Sequence, residues 1–177
     1  MEKRILSLMT MCKAEINSNN LAKVDNIESS DNGYKYSFSE SNIKIGIFGK
    51  DSFKKTLLIY GGKSKKEVKK HLKRMSKELR EEGIDISFST DLKIRNLAVG
   101  GRFETKFNLM KLFSSLKDSD INVEYEPEQF PAVFLYLEDP SCTFLLFSTG
   151  KYVLQGLKSK SEIQPAIRKV KKVLKYT

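Results

Sequence analysis

The chain has no tryptophan, one histidine, two cysteines and four prolines in 177 residues, and each scarcity removes a class of explanation. His71 is the single imidazole and lies among Lys69, Lys70 and Lys73, so it reads as a solvated surface residue. No Cys/His cluster has the spacing of a metal site. Cys12 and Cys142 stand in separate apolar segments without paired spacing. They read as reduced, buried and structural, the usage of a cytosolic protein. No apolar run approaches the roughly 18 residues that cross a bilayer. The apolar patch within Met1 to Met9 is too short for a signal-peptide core. Neither a GxSxG elbow nor a phosphate loop occurs. Glu124, Glu126 and Glu128 alternate through a proline-containing loop, which makes an exposed acidic edge rather than an acid/base pair. Gly61-Gly62 and Gly100-Gly101 read as strand ends or bulges. No catalytic residue, metal or cofactor is expected.

What the chain does have is positive charge. Its formal net charge of +10 is spread over both halves and suits a polyanionic partner, or else a lysine-rich solvated surface. A hydrophobic fraction of 40% with 31% charged residues belongs to a folded globular protein long enough to bury a real core.

Arg4 to Lys13 alternates around Ile5, Leu6, Leu8, Met9 and Met11 as a strand. Asn17 to Asn20 is a turn and cap cluster leading into a short helix candidate through Leu21, Val24 and Ile27, and Ser29 to Gly33 is a loop. Tyr34 to Phe38 and Asn42 to Phe48 alternate as hairpin strands. Gly49 to Lys55 is a polar loop before a strand over Thr56 to Tyr60. A long helix then starts at the capping pair Ser64 and Glu67, carries Val68, Leu72, Met75 and Leu79 on one stripe, and stops at Gly83. The second half has a strand over Leu92 to Val99 and a helix over Phe107 to Lys117, with Leu109, Leu112, Phe113 and Leu116 on one side. Three strands and a second capped helix follow, with Pro165 bending its second turn.

The two halves are in register. Ser159, Glu162, Ile163, Ile167, Val170 and Leu174 each lie 95 residues after Ser64, Glu67, Val68, Leu72, Met75 and Leu79, and Gly156 lies 95 after Gly61. Cap, stripe and preceding glycine together indicate an internal duplication, read here as repeats 1–90 and 91–177. Two such units make an α+β fold with one extended antiparallel sheet and helices on one face. The other face would stay open, partly apolar and in need of a partner. Two phenylalanines at hairpin tips, Phe130 between Gln129 and Pro131 and Phe147 before Ser148-Thr149-Gly150, are placed for contact with one.

The segments EPEQFPAV, LLFSTGK and QGLKS, ending in a capped helix, resemble the second repeat of the TATA-binding protein family in its archaeal form. The resemblance is specific over about Leu92 to Val173 and weaker before it. It implies a saddle of two direct repeats, one curved antiparallel sheet with helices on the convex face, and a concave face that lies in the minor groove of DNA. It implies a non-enzymatic transcription initiation factor that binds and bends A·T-rich promoter DNA and recruits transcription factor B. Location would be cytoplasmic, nucleoid-associated in an archaeon or nuclear in a eukaryote, with no membrane partner. Homodimerisation without DNA stays open.

Position by position, Phe130 and Phe147 match one wedge pair and Asn96 the central groove asparagine. Pro131, Leu145, Val153 and Ala98 fall on groove-floor positions, Ala98 where the family has Val. Lys151 and Lys158 match phosphate-neighbouring lysines, and Glu126 and Glu128 the stirrup carboxylates that meet transcription factor B. In the first half Phe48, Leu58 and Lys63 align. Ser7 replaces the first-repeat asparagine, Tyr60 and Gln155 replace base-reading threonines, and Tyr136 replaces an arginine. The segment Asp31 to Tyr34 is too short for a stirrup, and Asp51-Ser52 lengthens the next hairpin. The pattern is that of a diverged paralogue with its second half kept. Two other readings are a protein-interaction module that has lost DNA affinity through its first repeat, and an accessory domain of a nucleic-acid enzyme.

Overall fold

Four side chains a helical turn apart, Val68, Leu72, Met75 and Leu79, are completely buried and decide where the first long helix lies. Each contributes about 1.5–3 kcal/mol of burial. The computed structural model describes residues 3–18, 21–49, 53–117 and 119–175. It divides into two compact units, an N-terminal one of Ser7–Arg95 and a C-terminal one of Asn96–Thr177 together with Met1–Leu6.

In the N-terminal unit the strands are β1 (Lys3–Ile16, shared in sequence with the other unit), β2 (Ile27–Ser30), β3 (Gly33–Ser37), β4 (Lys44–Phe48), β5 (Lys54–Tyr60) and, after helix α1 (Lys65–Glu81), β6 (Ile86–Phe88). They pair antiparallel in the order β2-β3-β4-β5-β1, with β6 on β1. Period-two alternation sends Tyr36, Ile45, Ile47, Leu57 and Ile59 into one core with the α1 stripe. Lys35, Lys44, Phe48, Thr56, Leu58, Tyr60, Met9 and Met11 occupy the alternate positions, on the face without a helix.

In the C-terminal unit β7 (Lys93–Arg102) leads to α2 (Leu109–Leu116), then β8 (Asn122–Glu124), β9 (Ala132–Glu138), β10 (Ser141–Phe147), β11 (Lys151–Leu157) and α3 (Ile163–Lys175). The strand order is β7-β11-β10-β9-β8. Leu97, Val99, Leu135, Phe144, Leu146, Tyr152 and Leu154 are buried with Leu112, Ile167 and Val170 of the helices. The duplicated caps are duplicated in geometry. The Glu67 carboxylate accepts from the N–H of Lys63 at 2.7 Å, and the Glu162 carboxylate from the N–H of Lys158 at 2.7 Å. Gly61 and Gly156, before these caps, both sit in the left-handed region, with φ +88° and +97°.

Register explains why the 95-residue offset fails earlier in the chain. Across the first tip hairpin Ile47 pairs with Leu57, 10 residues on, and across the second Leu146 pairs with Tyr152, 6 residues on. The first hairpin is therefore four residues longer. Upstream of it the offset becomes 99, so that Gly33 opposite Phe48 corresponds to Ala132 opposite Phe147.

Several expectations are corrected. Leu21, Val24 and Ile27 do not form a helix: a single 3-10 turn spans Leu21–Lys23, and Ile27 opens β2. Asp25 and Asn26 favour a turn, and so short a segment cannot offset helix nucleation. Ser29 and Ser30 are strand, leaving Asp31-Asn32 as the turn. Four strands rather than three lie between the short helical element and the long helix of each half, because β2 and β8 are added, and β6 is a further short strand after α1. The helix expected over Phe107 to Lys117 runs only over Leu109–Leu116, with the Asn108 side chain accepting from the N–H of Lys111 at 3.0 Å. A 3-10 turn at Lys160–Glu162 opens the last helix, which puts Pro165 in the first turn of α3, where a missing N–H costs little. His71 is half-buried rather than solvated: its ring packs edge-on to Phe38 at 5.0 Å, and Nδ1 lies 2.9 Å from the Glu67 carbonyl. Gly100 and Gly101 are interior to β7, where a Cβ on Gly101 would meet the Tyr152 ring at 2.3 Å and one on Gly100 would meet Leu6 at 3.0 Å. Asn19, Asn20, Asp51 and Ser52, assigned to turns or loops from the sequence, lie outside the described residues.

Both cysteines are buried and free, and burial pushes each thiol up to about 11. No helix among the described residues is long and apolar enough to cross a membrane.

Candidate nucleic-acid interface

The helix-free face of the C-terminal unit is built by one alternation carried through four strands. On β10 it presents Thr143, Leu145 and Phe147, on β11 Lys151, Val153 and Gln155, on β9 Phe134 and Tyr136, and on β7 Asn96, Ala98 and Arg102. Leu145 is 7% exposed, flanked in register by Phe134 and Val153.

At one end of this face stands an aromatic pair. The turn before β9 is closed by the N–H groups of Gln129 and Phe130, both donating to the Glu126 carbonyl at 3.0 and 2.9 Å, and the Phe130 carbonyl accepts from Ala132 at 2.9 Å. Pro127 and Pro131 restrict the same loop. Phe130 is thereby held 40% exposed, its centroid 5.9 Å from that of Phe147 on the adjacent tip and 5.5 Å from Phe134. Glu126 and Glu128 are exposed on the same loop.

Beside the pair lies an open groove of about 720 Å³ lined by Arg4, Leu6, Gly100, Arg102, Pro131, Phe147, Lys151 and Val153. Arg102 and Lys151 are directly opposite each other in the β7–β11 ladder. Like charges so placed repel. Among the described residues neither they nor Arg4 make an ion pair, so three cations line the groove without a carboxylate partner. Sequence reasoning missed Arg4 and Arg102, although the alternation 96, 98, 100, 102 along β7 placed Arg102 on the same face as Asn96.

Asn96 is exposed, and its Oδ1 accepts the N–H of Gly156 at 2.9 Å across a register shift between Leu154 and Leu157. With the oxygen committed, the amide NH₂ is left to donate outward. Gln155 is exposed beside Thr143. The Tyr136 hydroxyl donates to Glu124 at 2.7 Å, and that bond raises its pKa. Lys63 and Lys158 are exposed in the turns before the capped helices, outside the strands.

The N-terminal unit's open face differs. Leu58 and Phe48 are half-buried and Tyr60 is 41% exposed, and Phe48 touches no second phenylalanine among the described residues. Lys13 donates to Thr56 at 2.9 Å, and Lys35 pairs with Glu28 at 2.8 Å. Ser7 is exposed on β1.

The family described as transcription factor TFIID, or TATA-binding protein, matches residues 91–177. TATA-box-binding proteins of Methanocaldococcus jannaschii and Thermoplasma volcanium are 35% and 38% identical over 115 and 114 residues, covering 65% and 64% of this chain and 61% of each relative. That of Thermococcus celer is 32% identical over 133 residues, covering 75% of this chain and 66% of the relative. The alignments span about three fifths to two thirds of those relatives' length. A solved structure of Methanococcus jannaschii TBP matches with a TM-score of 0.82 and 28% identity over 100% of both chains. The fold is the α+β fold of that protein, and the chain belongs to the TATA-binding protein family.

Proposed function

We propose that the protein is a transcription initiation factor that binds A·T-rich promoter DNA in the minor groove, bends it and recruits transcription factor B. One observation carries the reading: Phe130, exposed, and Phe147, half-buried, stand together at the end of a helix-free, partly apolar face. Apolar side chains at such a position insert between base steps, at a cost of a few kcal/mol per step, a magnitude known for this family rather than worked out from this chain. Ala98, Pro131, Leu145 and Val153 form the floor, whose few polar groups suit a groove that distinguishes mainly A·T from G·C. Asn96 donates to the acceptors that A·T pairs present there, beside Gln155. Lys151 and Lys158, with Arg4 and Arg102, take phosphates, and Lys63 and Leu58 serve the first half. Glu126 and Glu128 form the acidic contact for transcription factor B.

Anisotropy titrations on TATA-like and scrambled duplexes, with and without transcription factor B, test this. Preference for the A·T-rich duplex and a supershift with the factor are expected. Equal binding to both duplexes would overturn the promoter reading. The interaction-module reading draws on the N-terminal unit's unpaired Phe48, and recruitment without any DNA affinity would favour it.

A further inference from the structure

Resting on the minor-groove reading, we infer that Gly46 is a positioning residue that lets Phe48 lie down on the sheet and leaves the N-terminal unit without a standing wedge. Phe48 and Phe147 are equivalent: each ends the first strand of its hairpin, opposite Gly33 and Ala132 respectively. Two residues before them stand Gly46, between Lys35 and Leu58, and Leu145, between Phe134 and Val153. A Cβ on Gly46 would lie 2.7 Å from Cε2 and 3.1 Å from Cζ of Phe48, and 3.5 Å from Cε2 of Tyr60. The outer end of the Phe48 ring therefore occupies the space a side chain at 46 would fill. It leans back along its own strand, toward Tyr60. In the C-terminal unit Leu145 fills that space, and Phe147 meets Phe130 at the tip instead.

The backbone does not call for glycine here, since Gly46 is in a strand and absent from the positive-φ residues. What matters is the missing side chain. The tip offers no support either: two residues before Gly33 is Asp31, where the second hairpin has Phe130 two before Ala132. Phe48 lacks both the Leu beneath it and the Phe beside it.

The consequence is a one-ended wedge. The N-terminal unit presents a flat surface of Phe48 and Tyr60, suited to sliding along sugar edges, while only the C-terminal unit unstacks a step. A flexible pyrimidine–purine step is then needed at one end of the site alone, which sets the direction in which the protein lies on a near-symmetric A·T box.

The test uses the full chain on TATA-like duplexes carrying 2-aminopurine at one end step or the other, whose emission rises when the base is unstacked. The wild-type protein should raise emission severalfold at one end only. Gly46→Leu, or the smaller Gly46→Ala, should raise emission at both ends, and Phe48→Ala added to either should cancel the new rise. Thermal melts establish that each variant is folded. Wild-type unstacking at both ends, with one lost in Phe48→Ala, would overturn the inference. So would folded, DNA-bound Gly46 variants that leave the second end quiet, or Gly46 variants that both fail to fold, because Phe48 would then be fixed core. Wild-type binding without a rise at either end would instead refute the wedge reading itself.

Discussion

Arg102 and Lys151 face each other across β7 and β11 with no carboxylate between them, so removing one should move stability and DNA affinity in opposite directions. The substitution to make is Arg102→Gln, which keeps most of the stem and deletes the charge. Directly opposed like charges destabilise a ladder by about 0.2–1 kcal/mol, and relief of that repulsion should stabilise the free protein by the same amount. For a chain of this length 1 kcal/mol is worth about 2–4 °C, so a rise of up to about 4 °C in Tm is expected without DNA. On DNA the lost phosphate contact should lower the slope of log K against log salt by about 0.9. Raising salt fourfold would then weaken the variant about 3.5-fold less than the wild type, while at low salt the variant binds more weakly. Anisotropy titrations across a salt series, with a melt of the free protein, measure both. A Tm that falls, or a salt slope unchanged within error, would refute the argument that this pair is held apart for an anion.

Thr10 is fully buried and its hydroxyl has no hydrogen-bond partner among the described residues, so Thr10→Val should stabilise by about 1–3 kcal/mol in urea denaturation. Since folding raises the Cys12 and Cys142 pKa values to about 11, their contribution should be intact below the ordinary thiol pKa and lost between about pH 9 and 11. In the native protein neither should react with a thiol reagent at pH 8 until denaturant is added, which absorbance would follow. Glu126→Lys with Glu128→Lys, on exposed positions, should leave the unfolding free energy within about 0.5 kcal/mol of wild type and abolish the supershift with transcription factor B, while direct DNA binding stays equal or tightens.

The helices were legible because their signals are local. Ser64 and Glu67 lie three apart, the buried stripe repeats every three or four residues, and both features recur 95 residues on. The tip pair Phe130 and Phe147 was legible through the prolines and turn residues beside it. Whatever depended on register was not. Arg102 against Lys151, Gly46 beneath Phe48 and Tyr152 over Gly101 are cross-strand or same-face neighbours, and a four-residue difference between hairpins hides the equivalence of Gly46 and Leu145 from any fixed offset. Ile27 misled for the opposite reason. Its spacing from Leu21 and Val24 fits a helix, but Asp25-Asn26 turn the chain and β3 supplies a ladder partner.

If the C-terminal unit carries the wedges, end-labelled energy transfer on a bound TATA-like duplex will show it. Phe130→Ala with Phe147→Ala should remove most of the bend, whereas Phe48→Ala should remove little. Smooth bending of a short site alone costs about 1–6 kcal/mol, so affinity should fall with the bend in the double variant. A full bend that survives Phe130→Ala with Phe147→Ala would mean that these two side chains are not the wedges.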